Sequence, residues 1–402
     1  MQTLTDATSD LTTEELQRYG RHLILPEVGL DGQRRLKAAR VLLIGLGGLG
    51  SPAALYLAAA GIGTLGLVEF DVVERSNLQR QLLYGDDDVG RSKLDAACTR
   101  LRAVNPHLAI ERHDGRLEAA NAQACIAAYD VVVDGSDNAA TRYLVNDACA
   151  RAGVPNVWGA VARFEGQVSV FDARRGPCYR SLFPTPPPAG LVPSCAEGGV
   201  LGVLPGMVGA MQANEVIKLV LGVGEPLIGR LLILDALGAR TREVQLPKTP
   251  CADVDCPCRG PLKPIADPGC SADSTPIHAA DRANDPGRIM NDFSADVPLE
   301  ISIQQLQALR RDGVDHALVD VRETAEHDIC RIDGATLIPL RTLPEAVDQL
   351  DREALTVVHC HHGGRSAQAV AWLRQNGFAR ATNLVGGIDA WSLTVDPAVP
   401  RY

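Results

Sequence analysis

Residues 41–68 carry no charged side chain. At 28 residues the run is long enough to cross a bilayer, so it separates a membrane protein from a buried soluble core. Seven glycines and Pro52 interrupt it, and its two ends lead into β-rich stretches, VLLIG (41–45) and TLGLVEFD (64–71). Glycine-punctuated runs of this kind read as strand, turn, helix and strand. The helix is SPAALYLAAAG (51–61) with a glycine stop, and no membrane span is expected.

The alternation continues beyond this run. Residues 95–106 and 141–153 read as helices and YDVVVDGSD (129–137) as another buried strand. Strands alternating with helices imply a parallel sheet covered on both faces, so the fold class is α/β, a Rossmann-like doubly wound sheet. FEGQVSVFD (164–172) and residues 231–246 alternate like late strands and suggest an antiparallel extension. Ahead of the sheet, residues 11–39 read as a helical arm. Thr12 and Glu15 stand at capping-box spacing, and Leu16, Tyr19 and Leu23 form an apolar stripe.

GLGGLG (45–50) lies between the first strand and its helix. Gly45, Gly47 and Gly50 satisfy a dinucleotide-binding fingerprint, with Gly48 inside it and Glu69 and Asp71 about 20 residues on. Glycine lets the backbone approach a phosphate, and the helix start offers free N–H groups. Taken alone, the loop would suggest NAD. The following residues change that reading. SNLQRQ (76–81) places Arg80 just past the ribose-contacting position, and GRSK (90–93) adds Lys93. Hydride transfer needs no such cations, whereas breaking a phosphoanhydride builds charge on the leaving pyrophosphate. Asp137, in DGSDN (134–138), ends the strand expected beside the nucleotide, where a carboxylate can hold Mg²⁺ on the phosphates.

These motifs, with the RYGRHLIL arm (18–25), resemble the MoeB/ThiF family, prokaryotic relatives of ubiquitin-activating enzymes, over residues 10–248. The resemblance implies binding of Mg-ATP and adenylation of the C-terminal Gly-Gly carboxylate of a small ubiquitin-fold sulfur carrier of the MoaD/ThiS type. By position it implies that Gly48 and Ser76, Asn77, Leu78, Gln79 and Arg80 contact ATP, and that Arg80 and Lys93 bind the phosphates. Asp137 would bind magnesium, with Asn138 beside the nucleotide. Arg21 resembles an arginine that reaches into the partner subunit's site, which implies a homodimer. Glu69 departs from the family's usual Asp at the ribose contact, a difference of one methylene.

Eight prolines fall between Pro250 and Pro298, in a stretch with few large apolar side chains. The domains are therefore expected at 1–248 and 299–402, joined by a linker at 249–298. In the second, ALVDVR (317–322), TVVHC (356–360) and 381–387 read as strands and 366–377 as a helix. CHHGGRS (360–366) follows a strand and opens this helix. Backbone N–H groups, Arg365 and the helix dipole would stabilise negative charge on the Cys360 sulfur and can hold a persulfide. His361 and His362 are adjacent in the loop and are expected at its surface. With DVRETAEH (320–327), IDGATLIP (332–339) and LVGGIDAW (384–391), the segment resembles a rhodanese domain, in which Cys360 matches the persulfide-bearing cysteine. The pairing of the two domains resembles the MoeZ-type family.

That resemblance implies a relay. A carrier carboxylate is adenylated, a Cys360 persulfide attacks the acyl-adenylate, and reductive cleavage leaves a thiocarboxylate. Cys195 matches a family thiol near the adenylate and could attack the adenylate, help receive sulfur, or simply line a loop. The family's two C-x-x-C zinc pairs are altered here: Ser181 stands opposite Cys178, and the second pair reads Cys256-Pro-Cys258 with Cys251 nearby. Serine is a poor zinc ligand, so zinc stays open, with Cys178, Cys251, Cys256 and Cys258 as a rearranged four-thiolate alternative.

Net charge is −10 and aromatic residues are 4%, which argues against nucleic acid as a partner. Eleven cysteines, mostly isolated, and no apolar leader point to the cytoplasm. Molybdopterin synthesis is the default pathway; thiamine, cysteine, tRNA thiolation and secondary-metabolite carriers are alternatives. A cysteine desulfurase or thiosulfate would donate sulfur. An NAD-dependent oxidoreductase and an inactive carrier scaffold are the rival classes.

Overall fold

A computed structural model describes residues 10–186, 199–246, 256–262 and 297–401. They fall into two compact units, the second comprising residues 297–401. The first is built on one eight-stranded sheet in the order β3-β2-β1-β4-β5-β6-β7-β8. Strands β1 (Arg40–Ile44), β2 (Thr64–Glu69), β3 (Ala109–Asp114), β4 (Val131–Asp134) and β5 (Asn156–Ala162) run parallel. Strands β6 (Glu165–Phe171), β7 (Arg230–Asp235) and β8 (Arg240–Gln245) extend the sheet antiparallel, as the late alternation suggests.

The central strands are apolar on both sides because helices cover both faces. Leu43, Leu65 and Val133 pack with Leu57 of helix Gly50–Ala60, while Leu42, Ile44 and Val132 pack with Val145 and Ala148 of helix Ala139–Ala152. The arm forms helices Thr13–Arg18, Gly20–Leu23 and Gly29–Ala38, and the Thr12–Glu15 capping box closes reciprocally. Two elements escape the sequence reading. Strand β3 is AIERHD, an edge strand without an apolar face. Helix Val203–Leu221 hides its period behind Pro205, Gly206 and Gly209. It packs so tightly that a Cβ at Gly209 would stand 2.4 Å from the Leu49 carbonyl oxygen. Residues 256–262, within the proline-rich stretch, pack on this unit: Cys256 and Cys258 are buried, and Arg151 Nη1 donates to the Gly260 carbonyl.

The second unit is a five-stranded parallel sheet in the order β11-β10-β12-β13-β9. Its strands are β9 (Glu300–Ile301), β10 (Ala317–Asp320), β11 (Ala335–Leu337), β12 (Thr356–His359) and β13 (Ala381–Leu384). No helix among the described residues is long and apolar enough to cross a membrane.

Both sheets reverse their winding at one point. In the first, β1 has β2 on one side and β4 on the other; in the second, β10 lies between β11 and β12. Helices on opposite faces leave a crevice at the carboxyl ends of such strands, the usual place for a ligand in an open α/β sheet.

Candidate active sites

The first crevice contains the glycine loop. It is tight: a Cβ at Gly50 would lie 1.9 Å from the Gly45 carbonyl oxygen. Glu69, at the end of β2, is buried and clamps this loop. Its Oε2 accepts from the Leu46 N–H at 2.8 Å, and its Oε1 accepts from the Phe70 and Asp71 N–H groups at 2.9 and 3.1 Å. The Leu46 carbonyl accepts from Ser51 Oγ and the Tyr84 hydroxyl.

Residues expected around a nucleotide gather here. A Cβ at Gly48 would stand 3.6 Å from Arg80 Cγ and 3.1 Å from Pro205 Cβ, and one at Gly47 3.8 Å from Gln81 Nε2. Arg80 is held by the Ser76 carbonyl (2.9 Å). Asn77 is buried and its Oδ1 accepts from the Glu74 N–H, which folds the Ser76–Leu78 turn. Gln79 abuts Gly202, at the start of helix Val203–Leu221. Lys93 is buried, with Nζ 3.2 Å from Asp71 Oδ2 and its N–H on the Asp71 carbonyl.

The loop after β4 closes the other side, the Gly135 N–H donating to the Ile44 carbonyl at 2.9 Å. Asp137 is exposed at its tip, and the Asn138 side chain caps helix Ala139–Ala152 by accepting from the Thr141 N–H. Arg21 is exposed on the arm, and Cys195 lies outside the described residues. The sequence reading gave no role to Asp134, Gln81 or Gln212. All three are buried, and Asp134 Oδ2, Gln81 Oε1 and Gln212 Oε1 have no hydrogen-bond partner among the described residues. Burial raises the Asp134 carboxyl, with Arg142 and Ser136 opposing. Buried polar atoms are seldom left unpaired, so each of these three calls for a partner such as a water, an ion or a ligand. In sequence, Asp134 is one more acid in DGSDN, and Gln212 lies on the unassigned helix.

The second crevice holds Cys360, just past β12 and 2% exposed. Its Sγ accepts from the Gly363 N–H at 3.1 Å and the Ser366 hydroxyl at 3.3 Å. Helix Gly364–Gln375 begins at once, so its first turn faces the sulfur. A Cβ at Gly387 would lie 2.4 Å from the carbonyl oxygens of both Cys360 and His361, which explains the glycine pair of LVGGIDAW. Arg365 forms a two-pronged ion pair with Glu326 (2.6 and 2.7 Å). His361 departs from expectation: it is buried, its ring 4.0 Å from that of His362, because the 385–387 segment covers the loop.

Beneath the loop lies a charged network. Asp320 is buried at the end of β10, opposite His359 of β12 in register. It accepts from Arg322 Nη2 (2.6 Å), Arg322 Nε (2.9 Å) and His327 Nδ1 (3.0 Å). Burial alone would raise its carboxyl; hydrogen bonds from buried Arg322 outweigh this, joined by His359 and His327, and hold it at about 2. Burial pushes His359 down to about 4 despite the attraction of Asp320, and His361 likewise to about 4.

A third cluster lies in the first unit. The sulfurs of Cys178, Cys256 and Cys258 are within 4.8 Å of one another and buried, and the Ser181 hydroxyl is 3.9 Å from Cys178 Sγ. Cys251 lies outside the described residues.

A glycine-loop α/β unit and a cysteine-loop α/β unit in one chain define a two-domain protein. Residues 19–258 match the ThiF family and residues 302–394 the rhodanese-like domain. The chain belongs to the ThiF family, which binds ATP, and carries a rhodanese-like domain. Over 99% of its length it is 45% identical to the "Probable adenylyltransferase/sulfurtransferase MoeZ" of Mycobacterium tuberculosis, 98% of which is covered. It is 41% identical to the "Adenylyltransferase and sulfurtransferase MOCS3" of Drosophila sechellia, over 98% of this chain and 86% of that protein. Among solved structures it is similar in fold to Escherichia coli MccB with ATP, with TM-score 0.51 and 22% identity, over 62% of this chain and 75% of that one.

Proposed function

We propose that this chain is an adenylyltransferase and sulfurtransferase. It activates the Gly-Gly carboxylate of a small ubiquitin-fold sulfur carrier with ATP, then supplies sulfur from a Cys360 persulfide, in molybdopterin cofactor synthesis. The observation that carries this reading is the presence, in one chain similar end to end to MoeZ, of both a cation-flanked glycine loop and a cradled cysteine.

The carrier carboxylate attacks the α-phosphorus of ATP and pyrophosphate leaves. The Gly45–Gly50 backbone lets phosphate approach, Arg80 and Lys93 offset charge on the leaving group, and Arg21 completes the site of a partner subunit in a homodimer. Asp137 would hold Mg²⁺, which neutralises phosphate charge. The outer sulfur of the Cys360 persulfide then attacks the acyl-adenylate carbonyl and AMP leaves. A second thiol attacks the resulting acyl disulfide at Cys360, releasing the thiocarboxylate; Cys195 is the candidate. The Gly363 N–H and the Ser366 hydroxyl stabilise negative charge on sulfur. The disulfide that this leaves between Cys360 and the second thiol is reduced by a dithiol, and the freed Cys360 thiolate then takes a sulfane sulfur from thiosulfate or a cysteine desulfurase. The converged Cys178, Cys256 and Cys258 thiols suit one zinc ion: four ligands about 2.3 Å from Zn²⁺ place sulfurs roughly 3.8 Å apart. Cytoplasmic location goes with the reduced cysteines this chemistry needs.

The test separates the half-reactions. Cys360→Ala is expected to abolish thiosulfate sulfurtransfer and keep carrier-dependent ATP–pyrophosphate exchange; Asp137→Ala is expected to do the reverse. A folded Cys360→Ala protein lacking both activities, or full exchange by Asp137→Ala, contradicts the assignment.

A further inference from the structure

Gln81 ends the SNLQRQ turn (76–81) and is 4% exposed. Its backbone is tied down: the N–H donates to the Asn77 carbonyl at 3.0 Å, and the carbonyl accepts from the Tyr84 N–H at 3.2 Å. Its side chain is not. Neither Oε1 nor Nε2 has a hydrogen-bond partner among the described residues. The polar side chains around it are engaged, Asn77 with the Glu74 N–H, Arg80 with the Ser76 carbonyl and Lys93 with Asp71. Enclosing a primary amide without partners costs free energy, so a fully unpaired one calls for a partner that the chain itself does not supply.

The amide faces the glycine loop. A Cβ at Gly47 would stand 3.8 Å from Gln81 Nε2 and meet nothing else within 4 Å among the described residues, so the space over Gly47 opens onto this amide. The second glycine of such a loop is where the backbone lets phosphates approach. Adenylation brings a carboxylate to the α-phosphorus in the same space, and the peptide that carries the carboxylate comes with it. Hydrogen-bond capacity separates these groups. Phosphate and carboxylate oxygens only accept, so they engage Nε2 and leave Oε1 unpaired. An extended peptide residue presents its N–H and its carbonyl on one side, as in a β-ladder, and satisfies both ends of a primary amide at once.

Resting on the adenylation reading above, we propose that Gln81 is a specificity-determining residue for the acceptor: its side-chain amide pairs with the penultimate glycine of the carrier's extended Gly-Gly tail. Nε2 donates to that glycine's carbonyl, and Oε1 accepts from its N–H. The terminal carboxylate stays free to meet the α-phosphorus. The penultimate residue is read through its backbone alone, which fits a tail without side chains.

The experiment measures carrier-dependent ATP–pyrophosphate exchange by the full chain. It uses a MoaD-type carrier ending in Gly-Gly, and a semisynthetic carrier in which an ester oxygen replaces the penultimate glycine's N–H. In the wild type the ester is expected to raise the KM for carrier at least about threefold. Gln81→Met keeps the length of the side chain and drops both polar atoms. It is expected to raise that KM about tenfold for the natural carrier, to leave the KM for ATP unchanged, and to lose the distinction between the two carriers. Its urea midpoint is expected to be no lower than that of the wild type, since no internal hydrogen bond is lost. A wild type indifferent to the ester, equal ester penalties in both proteins, or a Gln81→Met effect confined to ATP overturns the proposal, the last assigning the amide to the nucleotide. Exchange absent from the wild type with the Gly-Gly carrier overturns the adenylation reading itself, and the proposal with it.

Discussion

Replacing His359 with Gln tests whether the charged network under Cys360 makes the second unit acid-labile. His359 has no solvent exposure, and its Nε2 stands 4.0 Å from Asp320 Oδ2, without a hydrogen-bond partner among the described residues. Its folded value of about 4 lies below the ordinary 6.5. Between these values the unfolded chain binds a proton that the folded chain refuses, so stability rises with pH across this window and falls as pH drops from 6.5 toward 4. Integrating from pH 7.5 to 5 gives a loss of about 2 kcal/mol from this one group. Asp320, held at about 2, stays ionised throughout and contributes no slope there. Its own stabilisation is present above the ordinary carboxylate range and is lost as pH falls toward 2. The assay is urea unfolding at both pH values, read by pulsed hydrogen exchange on peptides from β12 and helix Gly364–Gln375, so that the second unit reports alone. His359→Gln is expected to start less stable at pH 7.5 and to lose about 2 kcal/mol less than wild type on acidification. Identical losses in the two proteins would refute the reasoning, since the titrating group would then lie elsewhere.

Other perturbations separate contacts in the first unit. Gly50→Ala puts a carbon 1.9 Å from the Gly45 carbonyl oxygen and is expected to cost about 3 kcal/mol or more in urea unfolding. Gly47→Ala meets nothing closer than Gln81 Nε2 at 3.8 Å, so it is expected to keep its stability and lose ATP affinity, measured by calorimetry. Glu69→Gln turns an amide toward one of the N–H groups that the carboxylate now accepts from and is expected to destabilise by about 1.5–3 kcal/mol, seen in the same unfolding assay. Metal analysis of purified protein is expected to find zinc, and Cys258→Ser to lower it with the Cys360 sulfurtransferase activity retained.

The linear order of residues determined a good deal. The uncharged run with its glycines specified strand, loop and helix, because an apolar run broken by glycine has few ways to bury itself. The Thr12–Glu15 cap and the cysteine loop opening a helix were legible because each is local, with partners within a few residues; the late strands were legible from their alternation, although β6 pairs with the distant β7. Tertiary structure alone decided the rest. Strand β3 has no apolar face and exists because β2 offers it an edge. Helix Val203–Leu221 is anchored by contacts with residues more than a hundred positions away, so no local period marks Gln212 or Pro205 as part of a site. Glu69 shows the difference most directly. Its position in the sequence suggests a ribose contact, whereas the fold turns its carboxylate onto three backbone N–H groups of the loop and strand end. Local propensity and capping are written in neighbouring residues; which charges and thiols face each other depends on how strands align, and that is settled only when the whole sheet forms.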